Sequence, residues 1–477
     1  MIFQKKMSKK EFSLSDNAII YSWKQLAQRA GVIDFNEADA PLNLCKIPIF
    51  YAHPSEVSYA GEKIIVVPCH AGDWHSLLES PAGTINWIPL QQAFPDVNSV
   101  GFKTDIPVIL RGDSEKRGEI VEYRQDKTLI FNVDILATVF FMLTRWEEIE
   151  NPIRDEHGRF PAFESVAYKQ GFLDLPIVDL YAMILREWLK KMVPSWEPAP
   201  LNLKVNITHD IDWVSHFSSS VHFMRMTGGE LIKRRSLKGF LKQFDDLRIQ
   251  IVSPEQDVFF KSIYDLAELS ERYGFSGKFY FMAARRSRYQ QGYSPFSRLL
   301  TKCFADLEQR GHIIGLHPGY HTLNIPEELI YEKQRLEQAL GRTVDEGRQH
   351  YLRFNTPVTW RHWEQAGFLY DSTMGFADFE GFRCGTCHPY HPFDVELDRE
   401  MKIQEIPLIV MDATLRLYRK LSPEQGRDRM IELASLCADV GGTFTLLWHN
   451  TSLHGEWQEW NQVYQDVLSE LSKRWKQ

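Results

Sequence analysis

From residue 203 to the C-terminus, short apolar runs alternate with stretches whose apolar positions recur every three or four residues. The first pattern predicts strands and the second amphipathic helices. Strands are expected at 203–207, 278–282, 312–316, 350–354, 408–411 and 443–448. Helices are expected at 257–273, 296–310, 327–340, 360–366 and 457–474. Gly274, Gly311 and Gly367 each follow a helical stretch, where glycine stops a helix cheaply. Strand–helix units repeated in this way imply a parallel sheet with right-handed crossovers. A segment at about 216–250 interrupts the alternation as an insertion.

The first half of the chain is less regular. Strands at 63–67 and 108–110, with helical periodicity at 134–148 and 178–192, predict a smaller α+β domain. Pro194, Pro198 and Pro200 cannot continue the preceding helix and mark a linker. The boundary is placed at about 197, giving domains 1–197 and 198–477. A length of 477 residues fits that division, because single cores stop growing well below it. No nucleophile or metal set is visible in the first domain. Glu147, Glu148 and His157 there are expected to be solvated or capping residues.

A net charge of −8 argues against a nucleic-acid or anionic-membrane partner, which would want a basic face. The insertion carries Lys233, Arg234 and Arg235. It reads first as a solvated helix face, and alternatively as a lid over an anionic sugar or lipid-linked substrate. The basic N-terminal stretch is not followed by a continuous apolar segment, and the run at 134–144 is too short to cross a membrane. The expected location is the cytoplasm, and the six cysteines are expected to be reduced thiols. Thirteen tryptophans could stack on sugar rings, although most should be core.

The chemistry concentrates in two places. Thr208-His-Asp-Ile-Asp212 ends one apolar strand, and Gly311-His-Ile-Ile-Gly-Leu-His-Pro-Gly-Tyr-His321 contains another. Together they supply two carboxylates and the imidazoles of His317 and His321. That is enough for one Asp-His-His metal site with a spare carboxylate to act as base. Three protein ligands leave an open position for water, so such a site would be hydrolytic. The plainer alternatives are two exposed histidines and a turn-forming Asp. Cys384-Gly-Thr-Cys387-His388 matches a haem-attachment pattern but has no second Cys pair for a zinc ribbon. It is read as a substrate-side loop, with Arg383 free to bind sugar or phosphate.

In these motifs the region 200–455 resembles the NodB-homology polysaccharide deacetylases, the fourth carbohydrate esterase family. That family's Thr-Phe-Asp-Asp opening is similar to Thr208–Asp212, in an Asp-x-Asp variant, and its Gly-His-Glu-Ile-Gly-Asn-His-Thr-x-x-His stretch to Gly311–His321. Its arginine motif and the following Gly-Tyr-x-Tyr-Asp-Ser resemble Arg353 and Gly367–Ser372, and its late Leu-x-x-His resembles Leu446–His449. Pro318 departs from the pattern, and Arg353-Phe-Asn-Thr-Pro357 is looser than the family's arginine motif. Residues 1–197 resemble an uncharacterised domain that precedes such deacetylases in bacterial surface-polysaccharide loci.

The resemblance implies a distorted (β/α) barrel that removes N-acetyl groups from a sugar. It implies Asp212, His317 and His321 as ligands of one divalent ion, zinc first, with cobalt, nickel or iron compatible. Asp210 would be the base, Arg353 would pair with it, and His449 would protonate the leaving amine. Arg383, Asp371 and His350 are candidates for substrate binding, and the partner is an N-acetylated saccharide. Hydrolysis of another amide or an O-acetyl ester, or an inert carbohydrate-binding module, are the rival readings.

Overall fold

A computed structural model describes residues 13–57, 63–69, 74–111, 119–232 and 234–475. The basic stretch at 1–12 and Lys233 lie outside the described residues.

Eight parallel strands form the central sheet of an α/β fold. Their order is Gln404–Glu405, Tyr370–Asp371, Glu346–Gly347, Ile313–Leu316, Gly277–Phe281, Lys204–Ile211, Thr443–Leu447 and Val410–Met411. The two edge strands are almost consecutive in the chain. Between them Ile406 N–H donates to the Asp371 carbonyl on one side, and Ile409 N–H to the Thr445 carbonyl on the other. This short passage bridges the two edges of a sheet curled as a half-barrel. Helices Val258–Arg272, Arg298–Gln309, Pro326–Leu340, Val358–Gln365, Pro423–Asp439 and Gln458–Trp475 cover it. The insertion is a helical hairpin, Ser220–Ile232 and Leu237–Val252.

The expected strand at 350–354 does not form. Pairing ends at Gly347, and His350–Leu352 is a tight turn in which Tyr351 (φ 62°) and Leu352 (φ 53°) are left-handed. Gly347 itself is required by close approach, since a Cβ there would overlap the Leu316 carbonyl and press on the Trp363 ring.

A second, five-stranded sheet lies before the proline linker, in the order Asn43–Leu44, Ile47–Tyr51, Ile64–Val67, Thr128–Phe131, Val121–Tyr123. Helices Asp16–Ala30, Ile135–Thr144 and Ile177–Met192 pack with it. One buried cluster runs continuously from these helices into the barrel. Polar contacts cross the same boundary. Glu148 is buried between Arg145 (2.7 Å) and Arg383 (2.9 and 2.6 Å), and Arg145 pairs with Glu147 (2.6 Å). Glu147 and Glu148 are therefore not solvated. Arg383 is locked away from any substrate, with its remaining nitrogen on the Gly375 carbonyl.

The Cys384–His388 loop is likewise internal. Asp179 accepts from Arg29 (2.9 Å), Thr386 Oγ1 (2.6 Å) and Cys387 N–H (2.9 Å). The loop joins the two halves of the chain instead of facing substrate.

Candidate active site

The side chains gathered at the site lie at or just beyond the C-terminal ends of parallel strands, the face on which barrels of this kind assemble their sites. Strand Lys204–Ile211 presents Asp210 and then Asp212. Ile313–Leu316 presents His317, Glu346–Gly347 presents Arg348 and His350, Val410–Met411 presents Asp412, and Thr443–Leu447 presents His449. Asp210, Asp212, His317, His350 and His449 line one cavity of about 980 Å³.

At its floor, Asp212 Oδ1 is buried and accepts no hydrogen bond. His317 Nε2 lies 3.3 Å from it and His350 Nε2 3.6 Å. His317 Nδ1 donates to the Arg348 carbonyl at 2.7 Å, which leaves the Nε2 lone pair facing the carboxylate. Ligand atoms of Asp212, His317 and His350 all lie within 4.8 Å of one another. A buried carboxylate oxygen without a donor, between two imidazoles, suits a divalent cation. Burial lowers the His350 pKa to about 3, so the ring is neutral, as a ligand must be. Burial would raise Asp212, but the His317, His350 and His449 rings hold it below the ordinary carboxylate range.

His350 was expected at the substrate and His321 at the metal; in the structure His350, and not His321, lies beside Asp212 and His317. His321 is exposed, on the turn Tyr320–Leu323, beside the Tyr289 ring (6.2 Å). Gly319 between the two histidines is extended (φ −65°, ψ 161°), so they do not lie one turn apart on a helix face. Glu332 accepts from Gly319 N–H (2.7 Å), and Gln290 from Tyr320 N–H (2.8 Å), which fixes that path.

The expected Arg353–Asp210 pair is absent, and Arg348 occupies that position. Its Nη1 donates to Asp210 Oδ1 (3.0 Å) and Thr208 Oγ1 (2.9 Å), while Nε and Nη2 bind Ser372 (2.7 and 2.9 Å). The left-handed turn at Tyr351–Leu352 turns Arg353 away from Asp210. It donates to the His157 carbonyl (2.6 Å) and stacks on Tyr320 (3.9 Å). Asp371 does not reach the cavity either. It is fully buried, accepts from Thr373, and faces Glu405, and burial raises its pKa to about 7.

Opposite Asp210, His449 Nδ1 donates to Asp412 Oδ1 (2.7 Å), and Asp412 Oδ2 accepts His449 N–H (2.9 Å). His449 Nε2 is left 3.9 Å from Asp212 Oδ2. Burial would lower the His449 pKa, but the Asp412 carboxylate pushes it up to about 10. Asp412 was missed in the sequence, though it shares with Asp210 the sign of a carboxylate just after an apolar strand. Arg159 was missed too. It comes from the first half of the chain and lines the cavity with Trp213, Arg225, Arg286, Tyr351 and Trp457.

Residues 55–194 match a family of unknown function, DUF7033. No curated protein matches the sequence. Among solved structures, a Mycobacterium smegmatis protein assigned as a polysaccharide deacetylase aligns over 58% of this chain and 87% of its own, at 15% identity and TM-score 0.37. The Xyl-CE4 domain of a multidomain xylanase from the hindgut metagenome of Trinervitermes trinervoides aligns over 58% and 85%, at 11% identity and TM-score 0.28. The 4-alpha-glucanotransferase of Thermococcus litoralis aligns over 57% and 38%, at 13% identity and TM-score 0.32. At such identities the chemistry of the site has to be judged from its own geometry.

Proposed function

We propose that this chain is a metal-dependent carbohydrate deacetylase, which hydrolyses the N-acetyl group of a sugar in a bacterial surface polysaccharide or its precursor. The observation that supports this most is the donor-less Asp212 carboxylate between His317 and His350, flanked by the Asp210–Arg348 and His449–Asp412 pairs. Asp212, His317 and His350 would hold one divalent ion, zinc by ligand type, with cobalt, nickel or iron also compatible. Bound there, it would acidify a water molecule and polarise the amide carbonyl.

Asp210 takes the proton from the attacking water. Arg348 aims that carboxylate through its Nη1, and a base so held contributes about 10²–10⁴-fold. His449 gives its Nε2 proton to the departing amine nitrogen. Asp412 supports this twice, by fixing the ring through Nδ1 and by keeping it charged. The faces of Trp213 and Tyr351 suit a sugar ring, and Arg159, Arg225 and Arg286 suit an acidic substituent on it.

The test is acetate release from a panel of N-acetylated oligosaccharides by metal-loaded protein, with metal content measured on the same sample. We expect about one divalent ion per chain and turnover that collapses in Asp210→Asn while metal is retained. Bound metal without acetate from any sugar would favour the other-amide or ester hydrolase. No bound metal would favour the carbohydrate-binding module.

A further inference from the structure

The insertion hairpin carries its side chains the wrong way round for a water-facing structure. Its buried positions are polar: Thr227 and Glu230 on Ser220–Ile232, Gln243 on Leu237–Val252. Its large apolar side chains lie mostly outward, among exposed charged ones. Met224, Ile232, Leu237, Leu241, Ile251 and Val252 are each between 57% and 80% exposed. Leu237, Leu241, Phe244 and Ile251 recur at the spacing of a single helix face. Of 24 large apolar side chains exposed among the described residues, ten fall within 220–252. Exposed apolar groups scattered singly are ordinary; a row of them on one helix face, broken here by Arg248 alone, marks an interaction face.

Charge decides what covers it. Residues 220–252 hold seven Lys and Arg against three Asp and Glu, a local net of +4 in a chain of −8. Arg235, Lys238, Lys242 and Arg248 are exposed, and Lys238 and Lys242 border the apolar stripe. An apolar face edged by cations is the pattern of a helix lying in the interface of an anionic bilayer. A second copy docked two-fold would set +4 against +4, and a nucleic acid would leave the apolar stripe uncovered. Among the described residues no helix is long and apolar enough to cross a membrane, so the contact would be peripheral.

We propose that this hairpin docks the protein on an anionic lipid bilayer. Val221, His222 and Arg225 of its first helix also line the cavity that holds Asp212, so the docked face adjoins the site. The whole-chain charge of −8 argued against such a partner only because it averages over this segment. The proposal stands independently of which bond the site breaks.

Flotation of the full chain with vesicles tests it. Vesicles of phosphatidylcholine alone are compared with vesicles containing about one-third phosphatidylglycerol. We expect flotation with the anionic vesicles, weakening as salt rises. Leu237→Gln/Leu241→Gln/Ile251→Gln should lower the bound fraction at least about tenfold. Arg235→Glu/Lys238→Glu/Lys242→Glu should abolish the preference for phosphatidylglycerol. Both triple variants change exposed positions outside the cavity, so their melting temperature and metal content should match the unaltered chain. The proposal is overturned if the chain floats with neither vesicle, if the apolar variant floats as well as the unaltered protein, or if light scattering shows self-association through these residues without flotation.

Discussion

His350 and His321 differ in one decisive respect: only His350 turns its Nε2 toward the unpartnered oxygen of Asp212. Replacing His350 by Ala should cut metal affinity by about 100-fold or more, whereas His321→Ala should leave it within a few-fold; metal titration of the two variants separates them. Equal losses would return His321 to the ligand set. Asp412 carries a second expectation. Its carboxylate raises the His449 pKa to about 10 against the downward push of burial, so the ring stays protonated and able to donate through neutral pH. In Asp412→Asn the largest upward push is lost and only Asp212 and Asp210 still oppose burial, so the pKa falls and the alkaline limb of the pH–kcat profile should move to lower pH. Turnover should drop about 10²-fold. An alkaline limb that stays in place would remove His449 as the acid. Both residues follow apolar strands, so the sequence signal was present. What it lacked was the fact that Asp412 and His449 stand on neighbouring strands.

Among the elements, long ones were legible and short ones were not. The helices at 257–273, 327–340 and 457–474 and the strands at 278–282 and 443–448 emerge within one or two residues of their expected ends. Strands of two residues, such as Glu346–Gly347, are too short to show a period. That is why the apolar positions near 350–354 were read as the strand itself. The real strand depends on Gly347. A methyl group there would meet the Leu316 carbonyl and Trp363. Gly347→Ala should cost roughly 1–3 kcal/mol of stability, seen as a lower urea midpoint. It should also weaken metal binding, because Arg348 and His350 move with the strand. Unchanged stability and metal binding together would show that the strand has room to shift.

At the scale of the whole molecule, the proline linker separates two sheets but not two cores. Glu148 sits between Arg145 and Arg383, and Asp179 ties Arg29 to the Cys387 loop. Removing the acid would leave the buried Arg383 guanidinium uncompensated and Arg145 with Glu147 alone, so Glu148→Ala should lose about 3–5 kcal/mol in denaturant titration. Burial would raise the Glu148 pKa, yet Arg383 and Arg145 hold it down to about 2. Because the folded value is the lower one, this stabilisation is present above the ordinary glutamate range and is lost as pH falls toward 2. Residues 198–477 expressed alone should aggregate or lack a cooperative thermal transition, since Ile177 and Met142 would no longer cover Gly385. A fragment melting as sharply as the full chain would show two independent domains.

Local patterning determined the alternation of strands and helices, the parallel sheet it implies, and the acids and imidazoles stationed after the strands. These depend on periodicity within a few residues, which the chain states directly. Tertiary structure alone decided that His350 rather than His321 faces Asp212, that Arg348 rather than Arg353 holds Asp210, and that Arg383 belongs to a buried junction. Each of these turns on where a loop reverses: the extended backbone at Gly319, the left-handed pair at Tyr351–Leu352, and contacts with side chains more than two hundred residues away. A motif specifies which groups are near in sequence; only the folded path brings particular ones to the same point in space.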